Sequence, residues 1–247
     1  MRWRRSLTAV SWFLFLAIAT GDPDALAQTR LDVFVTPIPN APFSGVINVQ
    51  RSIVQRDGSM ANLRTTRDIG RDSRGRIYNE SRGLLPVSTT GTPPIVSVLL
   101  YDPQTRVSAI LYPQQRVFSI SAVDRPPATA PPALLYASPA ASSLPQNEFT
   151  KEEDLGIHEI EGLPAHGVRE IQTIPADSSG TGNELLIWDE YWYSDDLRIN
   201  LVLKHSDPRT GTVVMTVTQV KRTEPDPALF EIPHDYTLSR AGQQTNR

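Results

Sequence analysis

Apolar and polar residues alternate along most of the 247-residue chain, and a two-residue period is typical of half-buried β-strands. In the first such stretch Ile47, Val49 and Ile53 share one side of the chain. Turn residues such as Asp57-Gly58 separate the stretches and favour hairpins. The pattern predicts strands at residues 44–53, 62–69, 76–81, 95–101, 107–112, 117–122, 155–160, 167–174, 184–193, 197–204 and 212–220.

Helical periodicity is scarce in this sequence. One helical turn is predicted within PDPALFEIP (225–233), where Asp226 is the capping residue. About ten antiparallel strands with so little helix exclude an α/β fold, because parallel strands need helical crossovers. We therefore expect a mainly β protein with a single curved antiparallel sheet or an open half barrel, and a β-sandwich is the alternative.

The first 27 residues have the pattern of a cleaved signal peptide. A basic start at Arg2, Arg4 and Arg5 precedes an apolar stretch at 7–19. Ala25-Leu26-Ala27 then provides a small-x-small cleavage site before Gln28. We expect a periplasmic or secreted protein with no transmembrane anchor after cleavage.

The remaining chain divides by composition into four parts. Residues 28–124 are predicted to form an N-terminal β-meander, and 125–150 a connector rich in proline and alanine. Residues 151–236 are predicted to form a second meander that completes the same sheet. The tail, 237–247, has no apolar pattern and is expected to fray.

Composition narrows the classes of function. The chain has no cysteine, which excludes disulfides, thiolate metal sites and a lipidated cysteine. A net charge of −3 in an exported protein argues against nucleic acid as a partner. The chain has no familiar catalytic, nucleotide or metal motif, and its four histidines are not at ligand spacing. We therefore predict a protein without catalytic residues, metal or cofactor.

The stretch LIWDEYWYS (186–194) is unusually aromatic, and both of its sides are apolar. Two covered faces follow: the stretch is either a central strand of the core or a strand lining an apolar cavity. For the cavity hypothesis, the candidate ligand-binding residues are Leu186, Trp188, Trp192, Leu201 and Leu203.

The stretch between Arg51 and Arg82 holds eight arginines against four acidic residues. These arginines either form a solvated outer strand face or attract an acidic partner. For the second interpretation, Arg64, Arg67 and Arg71 are the candidate partner surface.

Several longer stretches resemble known families. TKEEDLGIHEIEGLPAHGVREIQTIP (150–175), EYWYSDDLRINLVLKHSDPRTGTVVMTVTQVKRTEPDPALFEIPHDY (190–236) and YDPQTRVSAILYPQQR (101–116) resemble a family of uncharacterised secreted bacterial proteins. The close of the chain, PDPALF followed by Ile232-Pro233, is similar to outer-membrane lipoprotein-carrier domains of the LolA/LolB and RseB kind.

The carrier resemblance implies an incomplete antiparallel barrel around an apolar cavity that holds acyl chains. This sequence departs from that pattern because it has no clear amphipathic helix to close the barrel. Our first hypothesis is an exported, non-catalytic binding protein that holds a lipid or acyl-bearing ligand in the concave face of its sheet. The alternative is an envelope module for protein interaction or stress sensing.

Overall fold

The computed structural model describes residues 32–123 and 148–239. All thirteen described strands belong to one open, curved and almost wholly antiparallel sheet that does not close into a barrel. The sheet order is β13-β7-β6-β5-β3-β2-β1-β12-β11-β10-β9-β8, and β4 pairs with β2 beside this path. Strands from both halves of the chain therefore lie in one sheet, and β1 meets β12 near its centre.

The strands are bounded as follows: β1 Phe43–Val54, β2 Met60–Arg71, β3 Ile77–Arg82, β4 Leu85–Pro86, β5 Ile95–Asp102, β6 Val107–Tyr112, β7 Val117–Ala122, β8 Thr150–Ile160, β9 Leu163–Ile174, β10 Leu185–Ser194, β11 Ile199–Asp207, β12 Gly211–Lys221 and β13 Thr237–Leu238. One 3-10 helix, Pro227–Phe230, follows β12, and the Asp226 side chain accepts a hydrogen bond from the Ala228 amide. Within the described ranges, no helix is both long enough and apolar enough to span a bilayer.

The predicted fold class is confirmed, and the β-sandwich alternative is wrong because the strands share one sheet. All eleven longer strands were predicted. Two short strands were not: β4, and β13, which lies in the tail that was expected to fray. β13 pairs with β7 in parallel, as an exception to the antiparallel pattern. The predicted signal peptide and nearly all of the connector lie outside the described residues.

One face of the sheet, which we call the leucine face, carries an unbroken row of paired residues across six strands. The row contains Thr65, Val49, Met215, Leu203, Tyr191 and Val168. Its neighbours on the same face include Ile47 paired with Val217. Leu203 is 0% exposed, and Val49 and Met215 are also buried. This row forms the apolar centre of the sheet.

A segment at residues 32–41 lies against the leucine face and is fixed there by arginines of β2. Arg67 forms an ion pair with Asp32. The fully buried Arg71 donates from Nη1 to the Thr36 carbonyl (2.7 Å) and the Leu197 carbonyl (2.9 Å), and from Nε to the Ala41 carbonyl (2.9 Å). Burial is the main reason why the pKa of Arg71 falls to about 10, and Arg198 nearby contributes to this shift.

The segment 224–236, which precedes β13, lies against the opposite face of the N-terminal strands. Glu224 accepts hydrogen bonds from Ser73, and Pro225 lies beside Gly70. Farther along, Ile232 and Tyr236 pack against a buried cluster of Val98, Leu100, Ala109 and Leu111. The two faces of the sheet are thus covered by different segments.

Candidate functional site

The face opposite to the leucine face carries both tryptophans of the described chain, and we call it the tryptophan face. Trp188 pairs with Ile171 and Ser206, and Trp192 pairs with Gly167 and Val202. Both indoles are half-buried, whereas Leu186, on the same face, is 50% exposed.

A buried carboxylate links the two indoles. Glu190 accepts hydrogen bonds from Trp192 Nε1 (2.8 Å), Lys204 Nζ (2.7 Å) and Arg169 Nη2 (2.7 Å). Burial acts to raise the pKa of Glu190, but these hydrogen bonds outweigh it and lower the pKa to about 2. The Arg169 guanidinium also lies 5.5 Å from the ring centroid of Trp188. The Glu190 carboxylate thus joins the Trp192 indole to two cations on the neighbouring strands.

Trp192 lies directly over a glycine. A Cβ on Gly167 would come within 2.7 Å of the indole carbons, so only glycine leaves room for the ring. His158 also contacts the indole, with ring centroids 4.8 Å apart. Trp192 is therefore fixed by packing as well as by its hydrogen bond.

The five residues predicted to line one cavity are divided between two faces. Leu186, Trp188 and Trp192 lie on the tryptophan face, whereas Leu203 pairs with Tyr191 on the leucine face. Leu201, two residues before Leu203 on the same strand, is also 0% exposed. This division follows from the pairing of β10 with β11, in which Leu203 lies opposite Tyr191 and Trp192 lies opposite Val202. The register becomes irregular after Trp192.

The three arginines predicted as a partner surface are also separated. Arg64 pairs with Gln50 on the tryptophan side and donates to the Thr89 and Gly91 carbonyls. Arg67 and Arg71 lie on the leucine side, where Arg71 is fully buried. These side chains therefore do not form one exposed surface.

A groove of about 740 Å³ lies at the β1–β2 hairpin end of the sheet, beside β4. Its lining is Gln50, Arg51, Ser52, Ala61, Asn62, Leu63, Pro86, Val87 and Ser88. Arg51 and Leu63 are paired neighbours on the leucine face. The volume falls within the range of small-molecule sites in proteins.

Four of the eleven exposed large hydrophobic side chains in the described part of the chain lie in or near this groove. Ile53, Met60 and Leu84 lie close to it in the chain, and Val87, which lines it, is 54% exposed. Sequence reasoning missed this site: Arg51 belongs to the arginine-rich stretch, but the candidate partner surface was placed at Arg64, Arg67 and Arg71. The available signal was GLLPV (83–87), an apolar stretch between the strands predicted at 76–81 and 95–101.

The described residues contain no group of three or more His, Asp or Glu side chains placed to hold a metal ion. His158 and His166, which flank one hairpin, have different partners: His158 contacts Trp192, and His166 lies 2.8 Å from Asp154 Oδ1.

Stability is expected to depend on pH through His205. Its Nδ1 lies 2.8 Å from Asp189 Oδ1, and this hydrogen bond raises the pKa of His205 against the opposing effect of burial. A raised folded-state pKa adds stability below about pH 6.5, and this stability is lost as pH rises through the folded pKa. We expect urea unfolding to show that the free energy of unfolding of the wild type falls between pH 5.5 and pH 8.5. The fall should be smaller in His205→Gln. Parallel curves for the two proteins would contradict this prediction.

No protein-family model matches the chain, and no curated protein matches it. Solved structures do match. The MucA/MucB complex of Pseudomonas aeruginosa aligns with 86% of this chain and 60% of that chain, at 13% identity and a TM-score of 0.36. LprF from Mycobacterium bovis aligns with 76% of this chain and 90% of that chain, at 11% identity and a TM-score of 0.27.

A domain of an outer membrane lipoprotein-sorting protein from Vibrio parahaemolyticus aligns with 77% of this chain and 89% of that chain, at 9% identity and a TM-score of 0.19. The chain thus spans less than two thirds of the MucB structures that it matches. At these scores the likeness carries no inference about ligands or partners. The predicted resemblance to outer-membrane lipoprotein-carrier domains of the LolA/LolB and RseB kind is confirmed.

Proposed function

We propose that this chain is an exported, non-catalytic binding protein of the bacterial envelope that takes up an apolar, acyl-bearing ligand at the groove end of its leucine face. The observation that carries the proposal is the groove of about 740 Å³ at the end of an apolar sheet face. The signal-peptide pattern of residues 1–27 supports the envelope location.

The course of β1 supports this placement of the ligand. Its residues on the leucine face change from fully buried Phe43, Ile47 and Val49 to Arg51 and then to Ile53, which is 39% exposed. The apolar face therefore reaches solvent beside the groove. A ligand bound there would contact Leu63 and Val87 and extend a face that is already apolar.

The expected driving force is the burial of hydrocarbon. Each buried methylene contributes about 0.8 kcal/mol, so one acyl chain supplies enough free energy without a catalytic group or a metal. The exposed Val87 and Ile53 side chains would lose contact with water at the same time. Such clusters of exposed apolar residues are typical of interaction sites.

A tryptophan introduced at the groove tests the proposal. We expect a brominated acyl methyl ester to quench Val87→Trp strongly, because that indole would contact the ligand. The natural Trp188 and Trp192 lie in β10 on the opposite face, so their emission should change little. Native mass spectrometry of protein purified from the envelope of the cells that produce it should also show a bound lipid.

The matched control is Leu238→Trp, an exposed position of β13 at the other side of the sheet order. Equal quenching at positions 87 and 238 would indicate nonspecific partitioning and contradict a site at the groove. The proposal also fails if neither the quenching of Val87→Trp nor a co-purified lipid is found.

A further inference from the structure

Arg51 is a half-buried arginine whose guanidinium has no oxygen partner among the described residues. Among the arginines of the stretch 51–82, a described carboxylate, amide or carbonyl oxygen binds the guanidinium of Arg64, Arg67, Arg71, Arg74, Arg76 and Arg82. Arg51 makes no such bond within the described residues, and its Nε is buried without a hydrogen-bond partner. Arg56 also makes none, but it is exposed in the β1–β2 turn.

The surroundings of Arg51 are apolar on the face where it lies. In the sheet it is flanked by Leu63 on β2 and by Val213 on β12. The preceding residue on the same face is Val49, which is buried in the apolar row. A guanidinium remains charged in such surroundings, and its buried N–H groups lose free energy when no acceptor replaces water.

Arg51 also lines the groove, together with Leu63, Pro86 and Val87. A single cation thus lies where the apolar face meets the open groove. This is the arrangement that an amphiphile with one anionic headgroup requires: hydrocarbon against the leucines and valines, and anionic oxygens against the guanidinium N–H groups.

Arg67 and Arg71 also have a buried nitrogen without a hydrogen-bond partner among the described residues, but neither fits this role. Arg67 forms an ion pair with Asp32 and lies outside the groove lining. Arg71 is held by backbone oxygens. Three backbone carbonyls occupy its Nε and Nη1, and these bonds join residues 36, 41 and 197 to the sheet. It is fully buried, and it is not part of the groove lining. These contacts indicate that Arg71 stabilises the fold and does not bind a ligand.

We propose that the groove selects acyl ligands with an anionic headgroup and that Arg51 binds the headgroup oxygens. This inference rests on the proposed function and narrows it, from any apolar ligand to an anionic amphiphile. The remaining groove residues would distinguish such ligands little by charge, since none of them is acidic or basic.

The test compares three probes of equal chain length at neutral pH: hexadecanoate, its methyl ester and the corresponding lysophosphatidate. In the wild type we expect the anionic probes to bind at least about tenfold more tightly than the ester, because charge-assisted hydrogen bonds form only with them. The tighter of the two anions identifies a carboxylate or a phosphate as the preferred headgroup.

Arg51→Gln should reduce the affinity for the anions to near that of the ester and leave the affinity for the ester unchanged. Arg56→Gln is the matched control: it removes an arginine from the same hairpin but outside the groove lining, and should preserve the selectivity.

Wild-type protein that binds acid and ester equally would overturn the headgroup proposal and leave the proposed function standing. If no probe binds, the proposed function itself fails. The comparison of probes on the wild type needs no variant. It can therefore contradict the headgroup proposal even if Arg51→Gln folds poorly.

Discussion

Replacing Gly211 by alanine is expected to destabilise the protein by about 4 kcal/mol, the sum of backbone strain and a steric clash. Gly211 begins β12 with φ +116°, a conformation that L-amino acids rarely adopt. An added Cβ would lie 1.8 Å from the Ser52 carbonyl oxygen, which belongs to the backbone of the neighbouring β1. The two central strands would have to separate locally. Urea unfolding followed by far-UV circular dichroism would measure the loss.

Gly58→Ala provides the comparison for this effect. Gly58 also has a positive φ, +81°, but nothing lies within 4 Å of a Cβ placed there. Only the conformational penalty remains, so we expect a loss of about 1 kcal/mol. Equal losses at positions 58 and 211 would show that the contact between β1 and β12 does not determine the cost.

Leu203→Ala is expected to cost about 3 kcal/mol, because it removes a side chain that is 0% exposed and leaves a cavity in the middle of the leucine face. Its neighbours Met215 and Tyr191 lie on paired strands, whose backbones restrict how far the space can collapse. Chemical unfolding would report this as a lower midpoint with an unchanged denaturant slope.

Leu186→Ala makes the same chemical change on the tryptophan face. Leu186 is 50% exposed, so the expected cost is below about 1 kcal/mol. The pair therefore tests the division between the two faces with two residues of one type. A cost at Leu186 as large as that at Leu203 would contradict the assignment of the buried face.

Much of the fold was predictable because alternation determines strands locally. The boundaries of β6 and β7 agree with the prediction at both ends, and the predicted cap at Asp226 is present. β13 was missed because it contains only two residues, the polar Thr237 and the apolar Leu238, and two residues cannot show a period. Their strand exists because the C-terminal segment brings them to β7, and such a contact is set by tertiary structure.

The candidate site was harder to predict, since it depends on how strands pair. Alternation placed Leu186, Trp188 and Trp192 together, and the structure agrees. It could not show that Leu203 faces the other way, because that follows from the pairing of Leu203 with Tyr191. The arginines illustrate the same limit: burial of Arg71 depends on carbonyls of residues far away in the chain.

The pairing of β1 with β12 has a consequence for how the protein matures. The side chains of Asn48 and Thr218, which join these strands, are 170 residues apart in the chain. Pairing across so long a loop folds slowly, and it cannot begin until β12 has emerged. During that interval β1 presents an unpaired edge that can associate with other chains. We therefore expect newly made protein to depend on a holding chaperone until its last strands arrive.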